Sequence, residues 1–111
     1  MIPATARGRA TWIVLPARDE RDHIVDALRG IEQAAATAPG PVHVVVVDDG
    51  STDETAALAA KALACWPGRH VVLDGPAEGV GWARRFGIEH ALAAIGDEEA
   101  LVATTDADSR V

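Results

Sequence analysis

Four aspartates in two short motifs have the residue type and the spacing to do chemistry. Asp48 and Asp49 follow an apolar, β-branched run, and Asp106 and Asp108 lie two residues apart after a second apolar run. Two carboxylates at that spacing, in a loop that leaves a strand, can bind a hard divalent cation directly or through its waters. Such a cation can bridge the phosphates of a nucleotide diphosphate and stabilise charge on a leaving group. The pattern therefore predicts a site for a phosphorylated ligand.

The same carboxylates also have a purely structural interpretation. The D-x-D spacing is common in solvated loops, and Asp48 or Asp49 can cap a turn and the helix that follows it. Gly50 supplies a tight turn, and Ser51 and Glu54 form an S-x-x-E capping box that predicts the start of that helix. Unpaired burial of both carboxylates would be costly, so a ligand is favoured for at least one of them.

Strands and helices that alternate along the chain must position these residues. The predicted strands are residues 11–15, 42–47, 70–73 and 100–105. The predicted helices begin at Asp19 or Asp22 as a cap, at about residue 53 and at about residue 81. This alternation predicts an α/β fold with a parallel sheet and right-handed crossovers. Because parallel strands share one carboxyl edge, we expect segments 16–20, 48–49 and 106–108 to converge on one crevice.

The helical patterns also predict which side chains are buried. The second helix is expected to run to Trp66, with Cys65 on its apolar face as a buried, inert thiol. The tryptophans Trp12 and Trp66 are expected to pack in the core. Core packing is also favoured for Trp82, whose alternative is to close over a ligand from the glycine-rich loop. The predicted buried face of the third helix comprises Ala83, Phe86, Gly87, His90, Ala91 and Ala94.

Length and composition exclude several classes of protein. The 111 residues suffice for one domain, and 49% hydrophobic with 24% charged residues is typical of a globular chain. A net charge of −7, without a basic stripe, argues against a nucleic-acid partner. No signal peptide is visible and the apolar runs are too short to span a bilayer, so we expect a cytoplasmic chain without a membrane segment.

Three further segments join the first aspartate pair in resembling one family. Residues 47–53, Val-Asp-Asp-Gly-Ser-Thr-Asp, resemble the nucleotide-binding signature of family 2 glycosyltransferases of the GT-A fold. Residues 15–20 resemble the family's opening motif, Pro-x-(Arg or Tyr)-Asn-Glu, and residues 79–87 resemble its glycine-rich segment with Ala-Arg-Asn. Asp106-x-Asp108 matches its aspartate motif. The resemblance implies a Rossmann-like three-layer sandwich with a mostly parallel sheet.

The resemblance also implies roles for the nucleoside-binding residues. Pro16, Ala17 and Arg18 would line the nucleoside pocket, and Glu20 would approach the base or the ribose. Asp49 would contact the base and Asp48 would form the pocket wall, although the division between these two stays open. Asp19 stands where the family usually has asparagine. Without the resemblance, Asp19 is explained as a helix cap and Glu20 as a solvated side chain.

A second group of implied roles concerns the diphosphate and the metal. Gly81, before a helix, allows close backbone approach to a phosphate. Arg84 would contact the diphosphate or brace the aspartates, and its alternative is a surface salt bridge. Arg85 replaces the family's asparagine. Asp106 would contact the ribose or the metal's waters, and Asp108 would ligate Mg²⁺ or Mn²⁺.

The resemblance covers the first half of the family's domain. We therefore expect residues 1–111 to form a nucleotide-sugar-binding half that is truncated after the fourth strand, without the acceptor half. The catalytic base is expected beyond Val111, so the catalytic residues are unknown and the isolated chain is expected to be inactive. Uncovered apolar sheet surface predicts weak stability or self-association.

These observations support one leading hypothesis and one alternative. The leading hypothesis is a glycosyltransferase that binds a nucleotide-diphosphate sugar, by default a UDP-sugar, with a metal and transfers the sugar to an acceptor hydroxyl with inversion. The alternative is a non-catalytic nucleotide-binding or interaction module that has kept the fold. Phospho-acceptor signalling is disfavoured because Lys61, the only lysine, is predicted to lie mid-helix rather than at a late strand end.

Overall fold

Strands and helices alternate in the computed structural model, which describes residues 8–107. The strands are β1 (Ala10–Ala17), β2 (Val42–Asp48), β3 (His70–Asp74) and β4 (Ala100–Thr104). The helices are α1 (Ile24–Ala35), α2 (Thr55–Ala62) and α3 (Val80–Ile95). The predicted order of elements is therefore confirmed over the described residues.

The strands form one parallel sheet in the order β3-β2-β1-β4. β1 pairs with β2 from Thr11↔Val42 to Ala17↔Asp48, and with β4 from Ala10↔Ala100 to Val14↔Thr104. Helices α1 and α2 pack on one face of the sheet, and α3 packs on the other. The predicted Rossmann-like three-layer α/β sandwich is confirmed.

The valine run of β2 is buried on both faces of the sheet. Val44 and Val46 face the cluster that includes α1 and α2, whereas Val45 and Val47 face the cluster that includes α3. All four side chains have 0% exposure. A continuous apolar run, rather than an alternating one, is what a strand covered on both faces requires.

Strand β1 extends through Pro16 rather than ending before it. The Ala17 carbonyl accepts a hydrogen bond from the Asp49 N–H, on the β2 side, whereas the Val14 carbonyl accepts from the Thr105 N–H, on the β4 side. Pro16 has the same orientation as Val14, so its missing N–H would face β4. The β1–β4 ladder ends at Val14↔Thr104, and the proline therefore removes no paired donor.

The buried face of α3 is narrower than predicted. Its buried residues are Ala83, Gly87, Ala91 and Ile95, one every fourth position. A Cβ on Gly87 would lie 2.4 Å from Val14 Cγ1, so the helix approaches the sheet closely and small residues form the contact. The expectation that Phe86 and His90 are buried is therefore wrong, because both lie beside this stripe and are exposed.

Helix α2 is shorter than predicted, with consequences for the residues after it. Beyond Leu63 the hydrogen bonds change from the helical spacing to three residues, as in Trp66 N–H to Leu63 O at 2.9 Å. The turn buries Trp66, as predicted, but it exposes Cys65, so the expectation of a buried thiol is wrong. Trp12 is buried as predicted, whereas Trp82 is 53% exposed and does not pack in the core.

Candidate functional site

A cleft of about 160 Å³ lies where β1 and β2 end and α3 begins. Its lining residues are Pro16, Ala17, Arg18, Asp49, Gly79 and Val80. The cleft brings together four of the residues predicted to bind a nucleotide: Pro16, Ala17, Arg18 and Asp49. Asp106 does not line this cleft but a separate groove beside α1, so the expected convergence of all three segments on one crevice is seen only for the first two. Gly79 and Val80 come from the glycine-rich segment.

Asp49 lines the cleft, and its carboxylate is buried against the loop before α3. Its Oδ1 accepts a hydrogen bond from the Ala77 N–H at 2.7 Å, and its Oδ2 accepts from the Gly79 N–H at 3.1 Å. The residue is 2% exposed, so both bonds are made away from bulk water. Gly50, with φ +81°, passes close by: a Cβ there would lie 2.9 Å from Ala77 Cβ. Asp49 therefore holds the loop before α3 against the tip of β2.

Asp48 has a different environment from its neighbour. Its side chain is half-buried, and Oδ1 accepts a hydrogen bond from the Ser51 N–H at 3.3 Å across the turn. Asp48 does not belong to the residues that line the cleft. Of the two carboxylates, Asp48 closes the turn, whereas Asp49 faces the site.

The predicted helix caps of α1 and α2 are wrong. Asp19 and Ser51, two of the predicted cap residues, form hydrogen bonds between the loops after β1 and β2 instead. α2 begins at Thr55, and its N-cap Glu54 makes no side-chain cap bond. The Ser51 Oγ accepts from the Asp19 N–H at 2.9 Å, so Ser51 does not take part in a capping box. The N-cap of α1 is His23, also without a side-chain cap bond, so neither Asp19 nor Asp22 caps it.

Asp53 supplies the polar contact at the start of α2. Its Oδ1 accepts from the Thr55 N–H at 2.9 Å and also from the Thr55 hydroxyl. The hydrogen bond from the Thr55 hydroxyl is the largest cause that holds the pKa of the Asp53 carboxyl below its usual value. Asp53 thus stays ionised beside the start of α2, where a negative charge is favourable.

Arg18 and Glu20 differ in how far they are fixed. Arg18 is exposed at the cleft. The Glu20 side chain is 22% exposed, and its Oε2 lies 3.7 Å from His23 Nδ1. The Glu20 N–H donates to the Thr55 Oγ1 at 2.9 Å, which ties the β1 loop to the start of α2.

Arg84 joins α3 to the tip of β4. Its Nη2 donates to Asp106 Oδ1 at 3.3 Å, with the two side chains 37% and 50% exposed. The Nε of Arg84 is buried and has no hydrogen-bond partner among residues 8–107. This ion pair fits both the bracing of Asp106 and the alternative interpretation of Arg84 as part of a surface salt bridge. Arg85 points elsewhere: it pairs with Glu89 at 3.2 Å and lies 5.7 Å from the Trp82 ring centroid.

Two glycines leave open space at the start of α3. A Cβ built on Gly79 or Gly81 would meet nothing within 4 Å. Close packing among the described residues therefore does not require a glycine at either position. At Gly79 the backbone itself favours glycine, because its φ is +110°. The first turn of α3 is accessible to a ligand at this point.

Only part of the expected metal site falls within the described residues. Asp106 is exposed at the end of β4, whereas Asp108 lies outside residues 8–107. Within that range, no three His, Cys, Asp or Glu side chains are grouped so that they could hold a metal ion. The part of the chain that the structure describes also contains no helix with the length and apolar character to cross a membrane.

Sequence reasoning missed the contacts between the loops after β1 and β2. Asp19 Oδ1 accepts from the Thr52 N–H at 2.7 Å and from the Thr52 Oγ1 at 3.2 Å. The two motifs therefore form one unit in space. The signal that could have indicated this is the cluster of hydroxyl and carboxylate residues in both loops, but such clusters equally fit helix caps.

Comparison with known proteins identifies relatives for nearly the whole chain. The family model described as "Glycosyl transferase family 2" matches residues 12–111. The undecaprenyl-phosphate 4-deoxy-4-formamido-L-arabinose transferase of Pseudomonas fluorescens (strain Pf0-1) is 34% identical over 99 residues, which cover 86% of this chain and 27% of that protein. The 4,4'-diaponeurosporenoate glycosyltransferase of Staphylococcus aureus (strain MRSA252) is 45% identical over 51 residues, 46% of this chain and 12% of that protein. The chain thus matches about a quarter of the first relative and less of the second.

Proposed function

Because the chain belongs to glycosyl transferase family 2, we propose that it supplies the donor site of a glycosyltransferase, a site for a nucleotide-diphosphate sugar. One observation carries the proposal. The cleft at the carboxyl edge of the sheet is lined by residues of three separate motifs, represented by Arg18, Asp49 and Gly79. Ligands of open α/β sheets bind in this position.

The nucleoside part of the donor fits the cleft between the ends of β1 and β2. Pro16 and Ala17 are largely buried, and the parts of them that line the cleft offer apolar contacts. Asp49 presents a carboxylate whose oxygens have lone pairs beyond the two hydrogen bonds they accept. Asp48 and Glu20 support this region from the turn and from the β1 loop. UDP is the default nucleotide for this site.

The diphosphate part is proposed to lie at the start of α3. Gly81 leaves open space there, and the N–H groups of a helix N-terminus favour an anion. Arg84 places a guanidinium beside Asp106. In a chain of net charge −7, a phosphorylated ligand needs such local positive charge.

A divalent cation would supply the remaining positive charge. Members of the family generally use a divalent metal. Asp106 suits this role in part, since its exposed carboxylate is at the strand end beside the proposed diphosphate position. We propose that Asp106 and Asp108 together hold Mg²⁺ or Mn²⁺, which when bound neutralises charge on the departing nucleotide diphosphate.

The reaction is proposed to be an inverting transfer in the longer protein. An acceptor hydroxyl attacks the anomeric carbon, the bond from that carbon to the diphosphate oxygen breaks, and the hydroxyl proton passes to a base. No residue of this chain is assigned as that base, which we place beyond Val111. The isolated chain is accordingly proposed to bind the donor without transferring the sugar, and its cytoplasmic location stays a prediction.

Calorimetric titration of the chain with UDP, GDP and dTDP, each with and without Mn²⁺, tests the donor site. We expect metal-dependent binding of one nucleotide that is lost in Asp108→Ala. Asp97→Ala is the matched control, because it removes the same charge from an exposed position after α3. Failure of the folded protein to bind any of the three would overturn the proposal. Binding that ignores Mn²⁺ would favour a nucleotide-binding module without the metal chemistry.

A further inference from the structure

The loops that follow β1 and β2 are joined by hydrogen bonds between side chains and backbone. The Asp19 N–H donates to Ser51 Oγ at 2.9 Å, and Asp19 Oδ1 accepts from the Thr52 N–H at 2.7 Å. A further bond joins the residue after Asp19 to the first residue of α2, since the Glu20 N–H donates to Thr55 Oγ1 at 2.9 Å. We call the contacts among Asp19, Ser51, Thr52, Glu20 and Thr55 the interlock.

Asp19 is the residue on which the interlock depends most. It takes part in three of its hydrogen bonds, one through its backbone and two through Oδ1. Its φ of +51° is in the left-handed region, where aspartate and asparagine are the tolerated side chains besides glycine. An unfavourable backbone conformation is thus maintained at an exposed residue by contacts to the opposite loop.

The interlock is adjacent in sequence to both walls of the cleft. Arg18 and Ala17, which line one wall, immediately precede Asp19, and Asp49, which lines the other, precedes Ser51 by two residues. Asp19 itself does not line the cleft. A change at Asp19 can therefore act on a ligand in the cleft only indirectly, either by altering the separation of the two walls or through the charge of its carboxylate.

We propose that Asp19 is a positioning residue, which fixes the wall formed by Ala17 and Arg18 relative to Asp49 and so sets the affinity of the cleft for a nucleotide. The inference rests on the proposed donor site. It also explains why aspartate can replace the asparagine that the family usually has at this position. Both residues supply an Oδ1 acceptor and both tolerate a left-handed backbone.

Three substitutions of Asp19 separate its hydrogen bonds from its charge and its backbone. Asp19→Asn keeps the Oδ1 acceptor and loses the charge. Asp19→Gly loses the acceptor and keeps the left-handed conformation without strain. Asp19→Ala loses both the acceptor and that tolerance. Asp22→Ala is the matched control, because Asp22 is in the same loop and its ion-pair contact within residues 8–107, to Arg21, spans 4.0 Å.

The variants are compared in the full chain by nucleotide titration with Mn²⁺, by chemical unfolding and by amide exchange of residues 18–23 and 50–55. We expect Asp19→Gly to raise the nucleotide Kd by about tenfold. Asp19→Ala should raise it further, and Asp19→Asn and Asp22→Ala should match the unaltered chain. Amide exchange at Thr52 should become faster in the glycine and alanine variants but not in the asparagine variant.

Two results would overturn the inference while leaving the donor site in place. In one, the unaltered chain binds a nucleotide and Asp19→Gly binds it equally well. In the other, Asp19→Asn is as defective as Asp19→Gly, which would make charge rather than hydrogen bonding the cause. If the folded, unaltered chain binds none of the nucleotides, the donor site itself fails and this inference fails with it.

Discussion

The Oδ2 atom of Asp49 accepts a hydrogen bond from the Gly79 N–H at 3.1 Å, which joins the end of β2 to the residue that precedes α3. The same carboxylate also holds Ala77, whose φ of +57° is in the left-handed region. One buried side chain thus stabilises an unfavourable loop conformation and shapes the cleft. The sequence motif that predicts a ligand contact here also performs this structural task.

Asp49→Asn is expected to destabilise the fold, because one oxygen that accepts an N–H is replaced by an amide that can only donate. One backbone N–H would then be left buried and unpaired, which typically costs about 1–3 kcal/mol. Urea unfolding monitored by tryptophan fluorescence measures the difference. Asp48→Asn is the control, since Asp48 is half-buried and accepts one bond, at 3.3 Å. Equal effects of the two substitutions would contradict this account of Asp49.

Gly87→Ala is expected to destabilise the contact between α3 and the sheet. The added Cβ would lie 2.4 Å from Val14 Cγ1 and 2.8 Å from Val47 Cγ2, and both valines are fully buried. Overpacking of this kind costs about 1–3 kcal/mol.

Gly30→Ala provides the opposite expectation at a matched helical position. Gly30 is in α1, and a Cβ there would meet nothing within 4 Å. Because alanine favours a helix interior over glycine, this variant should gain about 0.5–1 kcal/mol. Thermal unfolding of both variants tests the pair, and a stabilised Gly87→Ala protein would show that α3 can move away from the sheet.

Much of the fold could be predicted from composition patterns, whereas contacts between loops could not. The unbroken run Val44–Val47 predicts a strand buried on both faces, and its position before two aspartates predicts a candidate site at the carboxyl edge. The pattern of α3 was less informative: Phe86 and Ala83 are both apolar, and the close approach at Gly87 decides which one is buried. That approach is a property of the packed sheet rather than of the helix.

The candidate site shows the same division between local pattern and long-range contact. Pro16, Ala17 and Arg18 are placed at the cleft as their motif suggests. Ser51 and Asp19, in contrast, look like helix caps when each loop is considered alone, because both residue types favour that position. Their bond to each other spans 32 residues, so no local pattern contains it.

Stability is expected to decrease as the pH falls below neutrality, because His43 is held in its neutral form. Burial and the nearby Arg69 cation lower the pKa of His43 from 6.5, with Glu98 acting in the opposite direction. Its Nδ1 accepts a hydrogen bond from the Arg69 N–H at 2.9 Å, and its ring centroid lies 4.7 Å from that of Trp12. Protonation at Nδ1 would remove the acceptor.

The direction follows from proton binding. The pKa of His43 is lower in the folded state than in the unfolded chain, so the unfolded state binds more protons. The stabilisation that neutral His43 contributes is therefore present above about pH 6.5 and is lost as the pH falls. Urea unfolding at pH 7.5 and pH 5.5 should show a smaller difference in His43→Phe than in the unaltered chain. His90→Phe, at an exposed position of α3, should keep the full difference. Asp53, whose pKa is lowered from 3.8, titrates at more acidic pH and does not contribute to this interval.

Self-association is expected through β4, which stands at the edge of the described sheet and pairs there with β1. Its sequence, Ala-Leu-Val-Ala-Thr, contains no charge or proline that would block edge pairing, and Leu101 is 54% exposed. A groove of about 520 Å³ lies beside it against α1, and its lining includes Ile13, Ile31 and Ala103 as well as Asp106 of the proposed metal site. A second copy of the chain can pair with this edge by backbone hydrogen bonds.

Leu101→Lys should therefore shift sedimentation toward the monomer, whereas Leu92→Lys, 56% exposed on α3, should not. A monomeric unaltered chain at high protein concentration would contradict this expectation.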